Sequence, residues 1–354
     1  MTTLSPELRQ LLQKGVVIPA HPLALTPERT FDVRYQRALT RYYCAAGAGG
    51  VAVGVHTTQF GIHDPAVGLL EPVLALASQT VDEHLRAAPR PFVKIAGLVG
   101  PTQQALNEAG LALGCGYHAG LLSLAALGRA SDAELLAHGR SVAARIPVVG
   151  FYLQPAVGGR VLSYDFWRRF VEIENVVAIK IAPFNRYQTL DVVRAVAAAG
   201  RAGEIALYTG NDDNIVADLL TDFVLDGADQ PVRIVGGLLG QWAVWTKRAV
   251  EMLETIQQER EAGRLDYQRW LAYGAQLTDA NAAIFDATHA FAGCIPGIHT
   301  VLQRQGLMQT THTLNPQEVL SPPQMGEIGR VCAAYLHLTD DQFVATHRQA
   351  WLEG

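Results

Sequence analysis

The chain has 354 residues, 49% of them hydrophobic and 17% charged, which supplies a sizeable core and excludes a disordered polymer. A net charge of -5 without long runs of like charge offers no basic footprint for nucleic acid and no polybasic patch for anionic lipid, so a small molecule is the expected partner. Cys44, Cys115, Cys294 and Cys332 lie far apart with no CxxC pairing, which fits neither a zinc site nor a disulfide framework and suits a reducing cytoplasm.

In chain order, MTTLSPELRQLLQKG predicts a short polar helix that lacks the basic and apolar regions of a signal peptide. No later stretch reaches membrane-spanning length. Eight apolar runs then recur: VVIPA from Val16, GVAVG from Gly50, FVKIAG from Phe92, GLLSL from Gly120, PVVGFY from Pro147, VVAIKIA from Val176, EIALY from Glu204 and RIVGG from Arg233. Segments with helical spacing separate them, among them the stretch from Asp64 to Ala88, TQQALNEAGLALG, SDAELLAHGRSVAAR, SYDFWRRFVEIE and QTLDVVRAVAAAG. Asp64 before Pro65 and Ser131 before Asp132 read as helix caps.

Runs that are apolar throughout belong to strands buried on both faces, and strict alternation with helices makes the sheet parallel. Eight such units predict a (β/α)8 TIM barrel over residues 1–241. The competing doubly wound sheet needs no count of eight, and no GxGxxG opens the first helix. From residue 242 to 354 the pattern is helical only, a C-terminal helical region whose apolar faces must bury against the barrel or another subunit.

Barrels of this kind carry their active sites at the C-terminal ends of the strands. The residues there are His21; Gly54, His56, Thr57 and Thr58; Gly97 and Gly100; Tyr152; Lys180; Gly210 with Asn211 and Asp212; and Gly236 with Gly237. Only four of the 28 basic residues are lysines, so a lysine inside an apolar strand calls for a reason. Lys180 lies among Val176, Val177, Ile179 and Ile181, where desolvation would favour the neutral amine that attacks a ketone. Against this stands a lysine that merely snorkels to the barrel mouth. Lys94 has similar flanks but lies deeper in its strand, which points to a core or counter-charge role. Tyr152 is either a half-buried aromatic or a proton shuttle beside an amine. GVHTTQFG offers hydroxyls, an imidazole and backbone donors to a carboxylate, or is simply a hydrogen-bonded turn. His56, His63 and Asp64 lack HxH or HExxH spacing, so a metal-dependent hydrolase finds no support.

Tyr152 in YLQP and Lys180 in VVAIK, 28 residues later, resemble the paired motifs of the dihydrodipicolinate synthase and N-acetylneuraminate lyase family. GVVIPAHPLALTPERTFD is similar to that family's opening strand and loop, GVHTTQFG to its GTTGE loop, TGNDD to its SGDD, and IPGIHTVLQRQGLM to its C-terminal helices, so the resemblance spans the chain. It implies a class I aldolase-type carbon-carbon lyase, a homo-oligomer (dimer or tetramer) that needs no metal or organic cofactor. Lys180 would form a Schiff base with pyruvate or another 2-oxo acid, Tyr152 would relay protons, and Thr57 and Thr58 would hold the substrate carboxylate. Gly54, His56, Gly210, Asn211 and Gly236 complete the expected substrate site. Two departures point away from a strict dihydrodipicolinate synthase. Val157 stands where the family has an arginine, with Arg160 the nearest substitute, and AALG from Ala125 replaces a tyrosine pair. A non-catalytic 2-oxo acid or sugar-acid binding barrel is the alternative.

Overall fold

Each of the eight apolar runs forms a strand in the computed structural model, which describes residues 2–225 and 230–353. In chain order the strands are β1 (Val17–Pro19), β2 (Gly50–Val53), β3 (Val93–Leu98), β4 (Ala119–Leu122), β5 (Val148–Leu153), β6 (Val176–Ala182), β7 (Ala206–Thr209), β8 (Asp222–Phe223) and β9 (Val232–Leu239). Only the two-residue β8 had no counterpart among the runs; it pairs antiparallel with β9. Eight parallel strands alternating with helices make the fold a (β/α)8 barrel, followed by C-terminal helices. Every residue of β3, β5 and β6 is buried, as continuous apolar runs require.

The chain divides into two compact units, Met1–Val16 with Pro91–Leu238, and Val17–Arg90 with Leu239–Gly354. In the first, β3, β4, β5, β6, β7 and β9 pair in that order, all parallel. The boundary read at residue 241 marks where strands give way to helices, whereas the compact units each join separate stretches of chain. In the second unit β1 and β2 lie side by side, bridged in parallel at Ala20 and Ala52. The carboxylate of Asp340, buried before the last helix (Asp341–Glu353), holds this unit together. It accepts from Tyr42 Oη (2.7 Å), Lys247 N (3.1 Å) and Gln305 Nε2 (2.8 Å), so residues from two helices and the C-cap of a third meet on one carboxyl group.

Local chemistry sets the helix limits. Ser131 caps the start of Asp132–Ala143, as its sequence predicted, and Glu134 bonds back to Ser131 to complete a reciprocal capping box. Asp64 does not cap a helix: its carboxylate accepts from Ala66 N in a turn, and the helix begins only at Leu70. An aspartate satisfied two residues on closes a local turn that competes with helix initiation. None of the helices among the described residues is long and apolar enough to cross a membrane.

Candidate active site

Residues paired across parallel strands project to the same face of the sheet. Between Val148 and Val149 the β5–β6 register shifts, because Val148 pairs with Val176 but Val149 with Ala178. The extra residue, Val177, is a bulge, and it moves everything after it by one position. Lys180 therefore stands opposite Phe151, while Tyr152 stands opposite Ile181 on the other face. Contacts agree with that register. Lys180 Nζ lies 4.6 Å from the centroid of the Phe151 ring, a cation–π distance.

Tyr152 faces the helix Tyr164–Phe170 instead, with its ring 5.3 Å from that of Trp167. Its hydroxyl donates to Leu162 O (3.0 Å) and accepts from Leu162 N (3.1 Å). Burial pushes the phenol pKa up, partly offset by the Leu162 bond. Its role here is to anchor the loop after β5, and the register does not bring it beside the Lys180 amine.

The same alternation separates the two lysines. Ala178 shares Lys180's face, and the register carries that face through Val149 and Leu121 to Gly97 and Ile95, which leaves Lys94 on the opposite, helix-covered side. Lys180 is 8% exposed and its chain crosses the end of β7 at Gly210. A Cβ on Gly210 would sit 2.6 Å from Lys180 Cε and 2.8 Å from Ala182 Cβ, so the position leaves no room for a side chain.

Asn211 braces that turn. Its Oδ1 accepts from Phe184 N (3.0 Å), after β6, and its Nδ2 donates to the buried Asp218 (3.0 Å). Asp218 also accepts from Thr209 Oγ1 (2.6 Å) and Asn214 Nδ2 (3.2 Å) and pairs with Arg186. A buried carboxylate with this many donors is adequately solvated by the protein, and it locks Thr209–Gly210–Asn211. Gly236 packs elsewhere: a Cβ there would lie 2.6 Å from Val16 O and 2.8 Å from Tyr208 Cε1. Gly237 pairs with Thr209 in the ladder.

The hydroxyl loop belongs to the second unit. Thr58 Oγ1 donates to His21 O (2.6 Å) and accepts from Gly54 N (3.0 Å) and Val55 N (3.2 Å), so it is fully committed to backbone groups of its own loop and of the segment after β1. Thr57 Oγ1 makes one long bond to the same carbonyl (3.4 Å), and the His56 ring lies 5.9 Å from that of Phe60. His63 Nε2 bonds to Gly54 O (2.7 Å). His21 is held by Gln36, Thr40 and the Pro22 carbonyl, and burial lowers its pKa to about 4, keeping it neutral. Among the described residues no group of three His, Cys, Asp or Glu side chains could hold a metal ion.

Phe151 and Asp218 escaped the sequence reading. Nothing in VVGFY reveals a bulge on the neighbouring strand, but an aspartate within the apolar run NIVADLL is a detectable signal, since buried carboxylates are rare unless paired. Arg160 is the nearest candidate for the family's arginine. Its Nη1 donates to Leu127 O (3.0 Å) and Ala130 O (2.8 Å), which ties it to the loop after β4.

No family model matches the chain, and no curated protein matches it in sequence. Solved structures do match it in fold. Dihydrodipicolinate synthase from Aquifex aeolicus superposes with a TM-score of 0.72 at 17% identity, covering 92% of this chain and 99% of that one. YagE, a prophage protein of the dihydrodipicolinic acid synthase family from E. coli K12 in complex with pyruvate, gives 0.69 at 16% identity, with 91% and 97% covered. CdNal from Clostridium difficile in complex with mannosamine gives 0.70 at 15% identity, with 91% and 99% covered.

Proposed function

We propose that this chain is a divergent member of the dihydrodipicolinate synthase and N-acetylneuraminate lyase family, a class I aldolase-type lyase in which Lys180 forms a Schiff base with pyruvate or another 2-oxo acid. One observation carries the reading: a buried lysine on the helix-free face of β6, threaded through the space left by Gly210. The likeness in fold to dihydrodipicolinate synthases and to a pyruvate-bound relative supports it.

The neutral amine adds to the keto carbon to give a carbinolamine, which loses water to become an iminium. That cation accepts the electron pair released when the C3–C4 bond breaks, as the C4 hydroxyl loses its proton and that fragment leaves as an aldehyde; the resulting enamine is protonated at C3, and water hydrolyses the iminium back to amine and 2-oxo acid. Condensation runs the same steps in reverse. Thr57 and the backbone N–H groups of its loop other than those of Gly54 and Val55 are the proposed grip on the substrate carboxylate, because Thr58 already gives its hydrogen to His21 O and both lone pairs to Gly54 N and Val55 N.

Activity as a strict dihydrodipicolinate synthase is not part of the proposal. A carboxylate-bearing aldehyde needs a cation to offset its desolvation; Val157 supplies none, and Arg160 is engaged with two carbonyls. Borohydride trapping with a panel of 2-oxo acids, followed by peptide mass mapping, tests the reading. The adduct should fall on Lys180; an adduct on Lys94, or none with any acid, refutes it.

Phe151 favours a second reading, a 2-oxo acid or sugar-acid binding barrel without turnover. A phenyl ring opposite Lys180 transfers no proton, so carbinolamine dehydration loses the help a phenol gives. Such a barrel would bind the acid while failing to cleave or condense it.

A further inference from the structure

The face of β6 that carries Lys180 continues as a mostly apolar surface across the strands joined to it. Register places Gly97, Leu121, Val149, Ala178, Tyr208 and Gly236 on that face, with Phe151 directly beside Lys180. Phe151 and Lys180 are both buried, and Nζ stands over the ring, 4.6 Å from its centroid. All these residues belong to the first compact unit. The missing side chain at Gly210 gives Cε its space, since a Cβ there would come within 2.6 Å of it.

An aromatic ring carries partial negative charge on its faces and attracts a cation above it, most strongly where neither is hydrated. The ring therefore favours charged forms of this nitrogen over neutral ones. In Schiff-base chemistry the ammonium and the iminium are charged; the free amine, the carbinolamine and the enamine are neutral at nitrogen. Ammonium plus ketone gives iminium plus water, with one positive charge on each side, so the ring stabilises both ends alike. Free amine plus ketone must take up a proton to reach the iminium, and there the ring favours the product alone.

We infer that Phe151 is a catalytic residue of the proposed reaction, its ring face stabilising the positive charge of the Lys180 iminium. This rests on the Schiff-base reading and gives Phe151 a part in it that needs no proton transfer. Tyr208, opposite Lys180 on β7, is the ionisable residue that the ladder pairs on the same face. Burial raises its pKa and its hydroxyl donates to Leu12 O (3.0 Å), so it stays neutral. Past the ends of β6 and β7 the charged residues are Arg186, Asp212, Asp213 and Asp218. Asp218 pairs with Arg186, and burial raises the Asp213 pKa while Arg186 lowers it. These groups are the same in every variant below, so a difference between variants reports the ring.

Phenylalanines bearing one, two and three fluorines, incorporated at Phe151, test this. Fluorine drains charge from the ring face while leaving its shape nearly unchanged, so folding and packing are kept. Phe151→Leu removes the ring altogether. Competitive acetylation with acetic anhydride, read by mass mapping of the Lys180 peptide, follows the neutral amine against pH without any 2-oxo acid. Its midpoint should fall stepwise with fluorine, by about 0.4–1.5 pH in all. Pyruvate is then titrated in cyanoborohydride trapping on either side of that midpoint. Above it, the half-saturating concentration should rise by the same factor, about three- to thirtyfold; below it, where ammonium and iminium lose equally, it should not change.

A midpoint that stays fixed across the fluorinated series while the parent forms its adduct overturns the inference and leaves the Lys180 reading intact, whatever Phe151→Leu does by repacking. A pyruvate requirement that rises equally on both sides of the midpoint also overturns it, because that marks altered packing. A midpoint that falls with fluorine in a protein giving no adduct with any 2-oxo acid overturns the Schiff base, and the catalytic role of Phe151 with it.

Discussion

Replacing Tyr152 by Phe separates two roles that differ in kind. If the phenol relayed protons beside Lys180, its removal would depress turnover by about 10²–10⁴-fold with little effect on stability. The β5–β6 register directs the opposite outcome, because the hydroxyl exchanges two hydrogen bonds with Leu162 on the far face of the strand. Its loss leaves a buried N–H and a buried C=O unsatisfied, at about 1–3 kcal/mol each, and nothing on the Lys180 face changes. Tyr152→Phe should therefore lower the urea midpoint clearly while borohydride trapping at Lys180 changes no more than a few-fold at temperatures where the variant is folded. Phe151→Tyr is the reciprocal variant. It adds a phenol to the ring already 4.6 Å from Nζ and should accelerate adduct formation, since a general acid would then assist loss of water. A Tyr152→Phe protein of unchanged stability whose trapping rate falls a hundredfold would refute the assignment of faces.

Gly210→Ala should move the Lys180 amine, because its Cβ would begin 2.6 Å from Cε; displacements of about 1 Å commonly cost about 10²-fold in rate, and single-turnover trapping measures this against a modest overpacking loss of about 1–3 kcal/mol. Arg160→Ala should lower stability by releasing two carbonyls while leaving activity on any 2-oxo acid nearly unchanged; efficient condensation of pyruvate with aspartate semialdehyde that collapses in this variant would show instead that the arginine grips substrate. Stability should fall as pH drops from about 6.5 to about 4, because His21 and His299, each lowered to about 4 by burial, stay neutral in the folded chain while the unfolded chain takes up protons. Each contributes up to roughly 3 kcal/mol of this loss, and a His299→Asn protein should show a shallower decline of urea midpoint across that window.

The sequence determined the architecture and the strand that carries Lys180, the proposed Schiff-base residue. Eight predominantly apolar runs pointed to strands covered on both faces, and Ser131 before Asp132 marked a helix start through local chemistry. Lys180 was conspicuous because charge inside such a run is costly. Choosing it over Lys94 on residues alone rested on depth in the strand; the ladder register gave the stronger reason, since it puts the two on opposite faces.

Tertiary structure decided which neighbours each group meets. A spacing of 28 residues aligns Tyr152 with Lys180 only if both strands advance in step, and Val177, one extra residue on β6, breaks that step. Side chains alternate with a period of two, so a shift of one exchanges the faces, replacing a phenol with Phe151. Thr58, Arg160 and Asp64 carry the same lesson: each is a polar group whose use depends on which backbone atom stands within hydrogen-bond reach. Such partners are set by local turns and by segments distant in the chain, as Leu314 is for Gln59 across 255 residues, and no local pattern encodes them.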